Sequence, residues 1–274
     1  MPRRARSLTL WLSLLVLLGF AAMHIAFRPR NDRDWSPDQA VLAWAELDGH
    51  IARVHNVRDN RYRTPEDYDV RHEDRSYDLD SLESVWLMVE PITSPGIAHT
   101  LVSFGFAGGK YVSVSVEIRK EKGEHFDPLR GLLRQYELMY VVADERDVIA
   151  LRTNYRRDRV YLYPIRTSRE RMRAMFVGML ERANALREHP EFYNTLTSTC
   201  TTNIVRHVNE VSPRRISPWH PRVLLPAYAD RLAYALGLID TSLPFEEAQR
   251  RYRIDERARA YGDGPDFSRV IRGS

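Results

Sequence analysis

Only one cysteine occurs in the 274 residues, Cys200, so no disulfide can form within the chain. No basic stripe is present either. The arginines alternate with acids along the whole length and the formal net charge is only +4, which excludes the concentrated positive face that nucleic-acid binding requires. No pair of histidines has a metal-ligand spacing, so neither a metal nor a cofactor is expected. Repeats and low-complexity tracts are absent. Only one long stretch lacks charge, LTLWLSLLVLLGFAAMHIAF at residues 8–27, and no later run is apolar enough to cross a membrane.

What is present fits one domain of ordinary size. Hydrophobic residues make up 43% of the chain, enough for a core. The apolar run at 8–27, at 1.5 Å per residue, reaches about 30 Å, the thickness of a bilayer's hydrocarbon. It is longer than the apolar stretch of a cleavable signal, and Phe20-Ala21-Ala22-Met23 is a poor cleavage site, so it reads as an uncleaved anchor. Arginines flank it on both sides (Arg3, Arg4 and Arg6 against Arg28, Arg30 and Arg33), which leaves the positive-inside count tied. A single amino-terminal anchor commonly leaves its following domain outside the cytoplasm. The expected organisation is an anchor and linker over 1–35, one domain over 36–260, and a loose tail over 261–274.

Within the domain, Ser36-Pro37-Asp38 is a helix start, and the spacing predicts a helix to about Asp48, stopped by Gly49. A strand is expected over 50–58, a long charged loop over 59–80, and a short strand from Val85 to Val89. Further strands are expected over 136–143, 147–153 and 159–165. Ser168 caps a helix to about Glu188 whose buried stripe is Met172, Met175, Phe176, Met179, Leu180 and Ala183. Helices are also expected from Cys200 to Val211 and near 222–237 and 244–257. A helix, a run of mostly antiparallel strands, then helices make an α+β domain.

The clearest local pattern is HTLVSFGF–AGG–KYVSVSVEI at 99–118, two alternating runs about a Gly-Gly turn. With Ala107-Gly108-Gly109 as the loop, Phe106 pairs with Lys110. The even residues, Thr100 through Ile118, then form a nearly apolar face, and a one-residue slip would put serines into the core. This register sets His99 opposite Glu117, at about 5 Å between Cβ atoms. A carboxylate there can orient the imidazole and favour its protonated form. An ordinary polar pair on a solvated face has the same signature.

Cys200 falls in the first turn of its helix, behind Ser198 or Thr199 as cap and ahead of the stripe Ile204, Val205, Val208, Val211. Unpaired amides and the helix dipole stabilise an anion at that place. A small buried filler is the other common use of a free cysteine. Cys200 as nucleophile, His99 as base and Glu117 as the group that orients the base would complete a thiol-catalysis set.

The runs SPGIAHTLVSFGF, VSVEIRKEKGE, LLRQYELMYVVADERDVIALRTNYR and EFYNTLTSTCTTNI resemble the Lnb N-terminal periplasmic domain family over roughly residues 50–240. The order His…Cys is also similar to circularly permuted NlpC-like papain folds, a group that includes lecithin:retinol acyltransferase. The resemblance implies a papain-like domain with an antiparallel sheet packed on helices, placed in the periplasm behind one transmembrane helix in the inner membrane. It also implies an acyltransferase that moves a fatty acyl chain from phospholipid to the amino-terminal amine of a lipoprotein, through a thioester on Cys200 with His99 as base and Glu117 as orienting acid. An NlpC-like cysteine hydrolase acting on cell-wall peptide or lipid is the alternative. The chain departs from family members with more spans in having only one.

Overall fold

A Gly-Gly turn between two alternating runs organises the whole sheet. In the computed structural model, which describes residues 28–92 and 95–273 and six positions between 11 and 19, Gly108 and Gly109 both take positive φ (76° and 74°). The left-handed region favours glycine there. The strands in chain order are β1 (Trp44–Asp48), β2 (Ile51–Arg58), β3 (Arg61–Tyr62), β4 (Tyr68–Asp69), β5 (His72–Asp78), β6 (Leu82–Pro91), β7 (Ala98–Phe106), β8 (Lys110–Arg119), β9 (Glu137–Ala143) and β10 (Tyr161–Pro164). The main sheet runs β1-β2-β9-β8-β7-β6-β10, with β5 on β2, and is antiparallel except for the single β2–β9 contact. Phe106 pairs with Lys110 as expected.

The helices are α1 (Pro128–Leu132), α2 (Glu145–Ala150), α3 (Arg169–Glu188), α4 (Cys200–Val211), α5 (Pro221–Leu224), α6 (Ala229–Ala235), α7 (Phe245–Arg251), α8 (Asp255–Tyr261) and α9 (Phe267–Val270). The α+β class with a mostly antiparallel sheet is therefore as read from the sequence. Ser168 caps α3 by accepting from the Arg171 amide, and all six residues of its expected stripe are buried. With Cys200 and Ile204 of α4 they cover the even face of the hairpin, including Val102, Phe104, Val112 and Val114.

The odd face is not solvated. Leu101, Ser103, Ser113 and Ser115 are fully buried, in part beneath a second core that joins Leu101, Met139 and Val141 to Val148 and Ile149 of α2 and to Phe267 and Ile271. The segment expected to be a loose tail thus closes this layer. Arg272 holds it with a bidentate ion pair to the buried Glu145, and its guanidinium lies 3.7 Å over the Tyr111 ring.

Three elements differ in type from expectation, and the helices expected near 222–237 and 244–257 are each broken into shorter ones. The helix expected from Ser36 ends after one turn at Pro37–Gln39, and Trp44–Asp48 is a strand. Gly49, at φ 59°, turns it directly into β2, and Asn184 of α3 satisfies both the amide and carbonyl of Ala45. The expected loop over 59–80 contains β5, whose charged sequence reflects an edge strand exposed on most of its length. The strand expected over 147–153 is α2 and a π-helical turn, Leu151–Tyr155, capped by Asp144 accepting from the Arg146 amide. Burial on every side erases its helical period, and β-branched Val148 and Ile149 imitate a strand.

The expected span at 8–27 lies for the most part outside the described residues. Among the described residues no helix is long and apolar enough to cross a membrane.

Candidate active site

Hydrogen-bonded pairing between β7 and β8 stops at Leu101↔Ser115, two residues short of His99 and Glu117. Beyond it β7 stays on β6, with His99 paired to Glu90, while β8 stays on β9, with Glu117 paired to Met139. The strands part, and side chains of either face border one cavity of about 410 Å³. His99, Glu117 and Cys200 all line it, as do Glu90, Arg152 and Arg156. A larger cavity of about 560 Å³, between β5, the β7–β8 turn and the last helix, contains none of the three.

Cys200 is the first residue of α4 and is 7% exposed. Thr199 caps the helix: its hydroxyl accepts from the Thr202 amide, and the Thr202 hydroxyl accepts in return from the Thr199 amide. The amides of Cys200 and Thr201 are the first-turn donors that this cap leaves over. The helix is docked by a bond between Thr100 and Thr201 hydroxyls, 3.0 Å apart and both buried. These residues follow His99 and Cys200, so one contact fixes the spacing of strand and helix where both candidate groups emerge. The thiol's polar neighbour is the Thr201 hydroxyl, at 3.8 Å. No hydrogen bond joins the thiol to the imidazole.

The orientation of His99 is indirect. Its Nε2 is 2.8 Å from the Ser115 hydroxyl, which donates to Glu117 Oε1 at 2.8 Å. The direct His99–Glu117 separation is 3.8 Å. Because the Ser115 proton is committed to the carboxylate, Nε2 must donate to Ser115 Oγ, leaving Nδ1 with the free lone pair. Glu117 orients the imidazole through Ser115 rather than as the direct cross-strand partner expected.

Arg152, from the π-helical turn after α2, completes the arrangement. It donates to Glu90 at 2.8 Å and to Glu117 at 3.1 Å, on the strands either side of β7. Burial and then Arg152 push His99 down to about 3, against the pull of Glu117. The imidazole is therefore neutral at neutral pH, and the expectation that Glu117 would favour its protonated form is overturned first by burial and then by the guanidinium beside both. Burial alone would push Glu117 up, but Arg152 and Arg58 hold it well below the usual carboxylate range. Burial pushes Glu90 up to about 7 against Arg152.

The three residues expected from the sequence line this one cavity; Ser115 as a relay, Thr100–Thr201 as the dock, and Arg152 were not among those expected. Ser115 shares a strand face with His99 and Glu117, a usable signal. Arg152 had none, because its segment read as a strand. Of the other histidines, His125 lines the cavity, whereas His207 is buried against Tyr140 at 3.0 Å.

The family model for the Lnb N-terminal periplasmic domain matches residues 68–227, more than half of the chain and including all three candidate residues, and the chain belongs to that family. No curated protein and no solved structure matches it.

Proposed function

With membership of the Lnb N-terminal periplasmic domain family as the premise, we propose that this chain is a membrane-anchored thiol acyltransferase that moves a fatty acyl chain from phospholipid to the amino-terminal amine of lipoproteins. The observation that carries the reading is the meeting of Cys200, at a capped helix start, and an oriented, neutral His99 on one cavity. A neutral imidazole with a free Nδ1 can accept the thiol proton as sulfur attacks the ester carbonyl of the lipid. The leftover first-turn amides are suited to the oxyanion that then forms. Collapse expels the lyso-lipid alkoxide, which takes the proton from His99 and leaves an acyl thioester on Cys200. An amine then attacks the thioester as His99 takes its proton, an amide forms, and the sulfur leaves, receiving that proton from His99.

The same reading places the domain with permuted NlpC-like papain folds, in which the strand carrying the base precedes the helix carrying the nucleophile. It takes residues 8–27 as the anchor that keeps the domain at the inner membrane. Incubating the full chain with phospholipid should add the mass of one acyl group to Cys200, released by neutral hydroxylamine, and Cys200→Ala and His99→Ala should each abolish this while keeping native circular dichroism. A diacylated lipopeptide should then receive the acyl group on its amine. Transfer to water alone, with the lipopeptide untouched, would make the chain an NlpC-like hydrolase instead. Full acylation of the His99 variant would end the proposal.

A further inference from the structure

The large apolar side chains left in water are not scattered. Outside the amino-terminal segment, most of them come from two segments that border the cavity. One is residues 126–134, where Phe126 and Pro128 line the cavity and Leu129 (63% exposed), Leu132 and Leu133 stand out from α1. The Asn194 side chain and the Thr195 hydroxyl bind the carbonyls of Leu132 and Pro128, which brings exposed Leu196 to the same lip. The other is residues 213–228. There Leu224 and Pro226 line the cavity, and Trp219 (61% exposed), Leu225 and Tyr228 stand out beside them.

Both lips carry arginines that meet no carboxylate, although Arg130 of the first pairs with Glu124. Residues 213–228 contain Arg214, Arg215 and Arg222 and no acid, and the single acid of 126–134, Asp127, is used as the cap of α1. Among the described residues, Arg134, Arg214, Arg215 and Arg222 pair with no carboxylate, and all four are exposed. A soluble domain rarely exposes such a patch without a use for it. Exposed leucines, a tryptophan and a tyrosine, with arginines in the same segments, are the composition of a surface that sits at a bilayer's interface and attracts anionic headgroups.

We infer that these two lips dock on the phospholipid bilayer, with α1 and the 213–228 segment entering the interface so that the cavity opens onto lipid. This deepens the acyltransferase reading and rests on it for why the cavity should face lipid. Docking also explains how a lipid acyl ester could reach Cys200 without leaving the membrane wholly.

The experiment uses the full chain in vesicles of phosphatidylethanolamine and phosphatidylglycerol, carrying Cys200→Ala and one new cysteine labelled with an environment-sensitive fluorophore. The label goes in turn on Leu129→Cys, Leu133→Cys and Leu225→Cys. Val70→Cys, exposed on the β3–β4 hairpin, is the control on a chain tethered in the same way. Labels on both lips should blue-shift, brighten several-fold and escape an aqueous quencher, while Val70 stays in water. Replacing Arg214, Arg215 and Arg222 with glutamine should weaken the Leu225 signal only when phosphatidylglycerol is present. Lip labels as wet as Val70 would overturn docking, even if Cys200 of the native chain forms a thioester. Labels that respond only to added lipopeptide would likewise overturn it, in favour of a protein-binding rim. Labels that enter lipid, with Cys200 of the native chain never acylated, would uphold docking and remove the acyl-donor reading alone.

Discussion

Replacing Arg152 with methionine should raise the pH at which the buried His99 takes a proton. Arg152 Nη2 and His99 Nε2 contact the same oxygen of Glu117, at 3.1 and 3.8 Å, so the two nitrogens lie no more than about 7 Å apart. At an effective dielectric of about 20, two positive charges at that separation repel by ~2 kcal/mol. That is between one and two pKa units (about 1.4 kcal/mol each). Loss of Arg152 also frees Glu117 to favour the imidazolium. The wild-type value of about 3 should therefore rise by at least one to two units. The substitution strands two buried carboxylates, which alone could destabilise the fold by roughly 3–5 kcal/mol, so Arg152→Met is best combined with Glu90→Gln, leaving only Glu117 to face His99. The assay is heteronuclear NMR of the imidazole, with His99 assigned by its loss in His99→Gln. Wild-type His99 should stay neutral from pH 8 to pH 4, and the double variant should begin to protonate at the acid end of that range. If His99 of the native chain already titrates near 6.5, or if the double variant leaves it unmoved, Arg152 does not set its charge.

Three further outcomes follow from the same geometry. Glu117→Gln should keep part of the Cys200 acylation rate, because the amide oxygen can still accept from Ser115; loss as complete as in Cys200→Ala, with the fold intact, would show that the negative charge itself is needed. His99 has a folded value of about 3 against 6.5 unfolded, so the unfolded chain binds the extra proton between those values and stability is lost as pH falls from 6.5 towards 3. The upper limit is about 5 kcal/mol at about 1.4 kcal/mol per unit, and urea titrations should show a shallower acid limb in His99→Gln. Phe267→Ala, at a fully buried site in α9, should cost roughly 3–5 kcal/mol; a urea midpoint unchanged from wild type would return residues 262–273 to a loose tail.

The sequence was most legible where one face of an element is apolar and the other is not. Residues 169–188 and 99–118 have that property, and the ends of α3 and the register of β7 and β8 came out as expected. It was least legible where apolar and polar residues keep no period. Residues 145–155 are covered all round and kept no period, so a helix and its π-turn read as a strand. Residues 72–78 expose most of their side chains, so a paired strand read as loop. The tail from Gly262 carries few apolar residues, but Phe267 and Ile271 meet a second core that no local pattern announces.

The same division explains the site. His99 and Glu117 were legible because they share a strand face at a settled register, and Cys200 because a helix start has a local code. What joins them was not, since each connection spans a large distance in sequence: Thr100 to Thr201, and Arg152 to Glu90 and Glu117. Register alone also leads to the wrong electrostatics. A histidine opposite a glutamate implies an imidazolium, and that would hold only if the pair stood on a solvated face with no third charge. Here the odd face is buried and a guanidinium bridges the carboxylates on both flanking strands, so the buried charges settle as Arg152 with Glu117, and His99 is left neutral. A neutral base can still remove a thiol proton as attack proceeds, whereas an imidazolium would need the thiolate formed beforehand. The strand separation beyond Leu101↔Ser115 is what opens the cavity that His99, Glu117 and Cys200 share: with the ladder continued, Glu117 would bond across to β7 and that cavity would be closed.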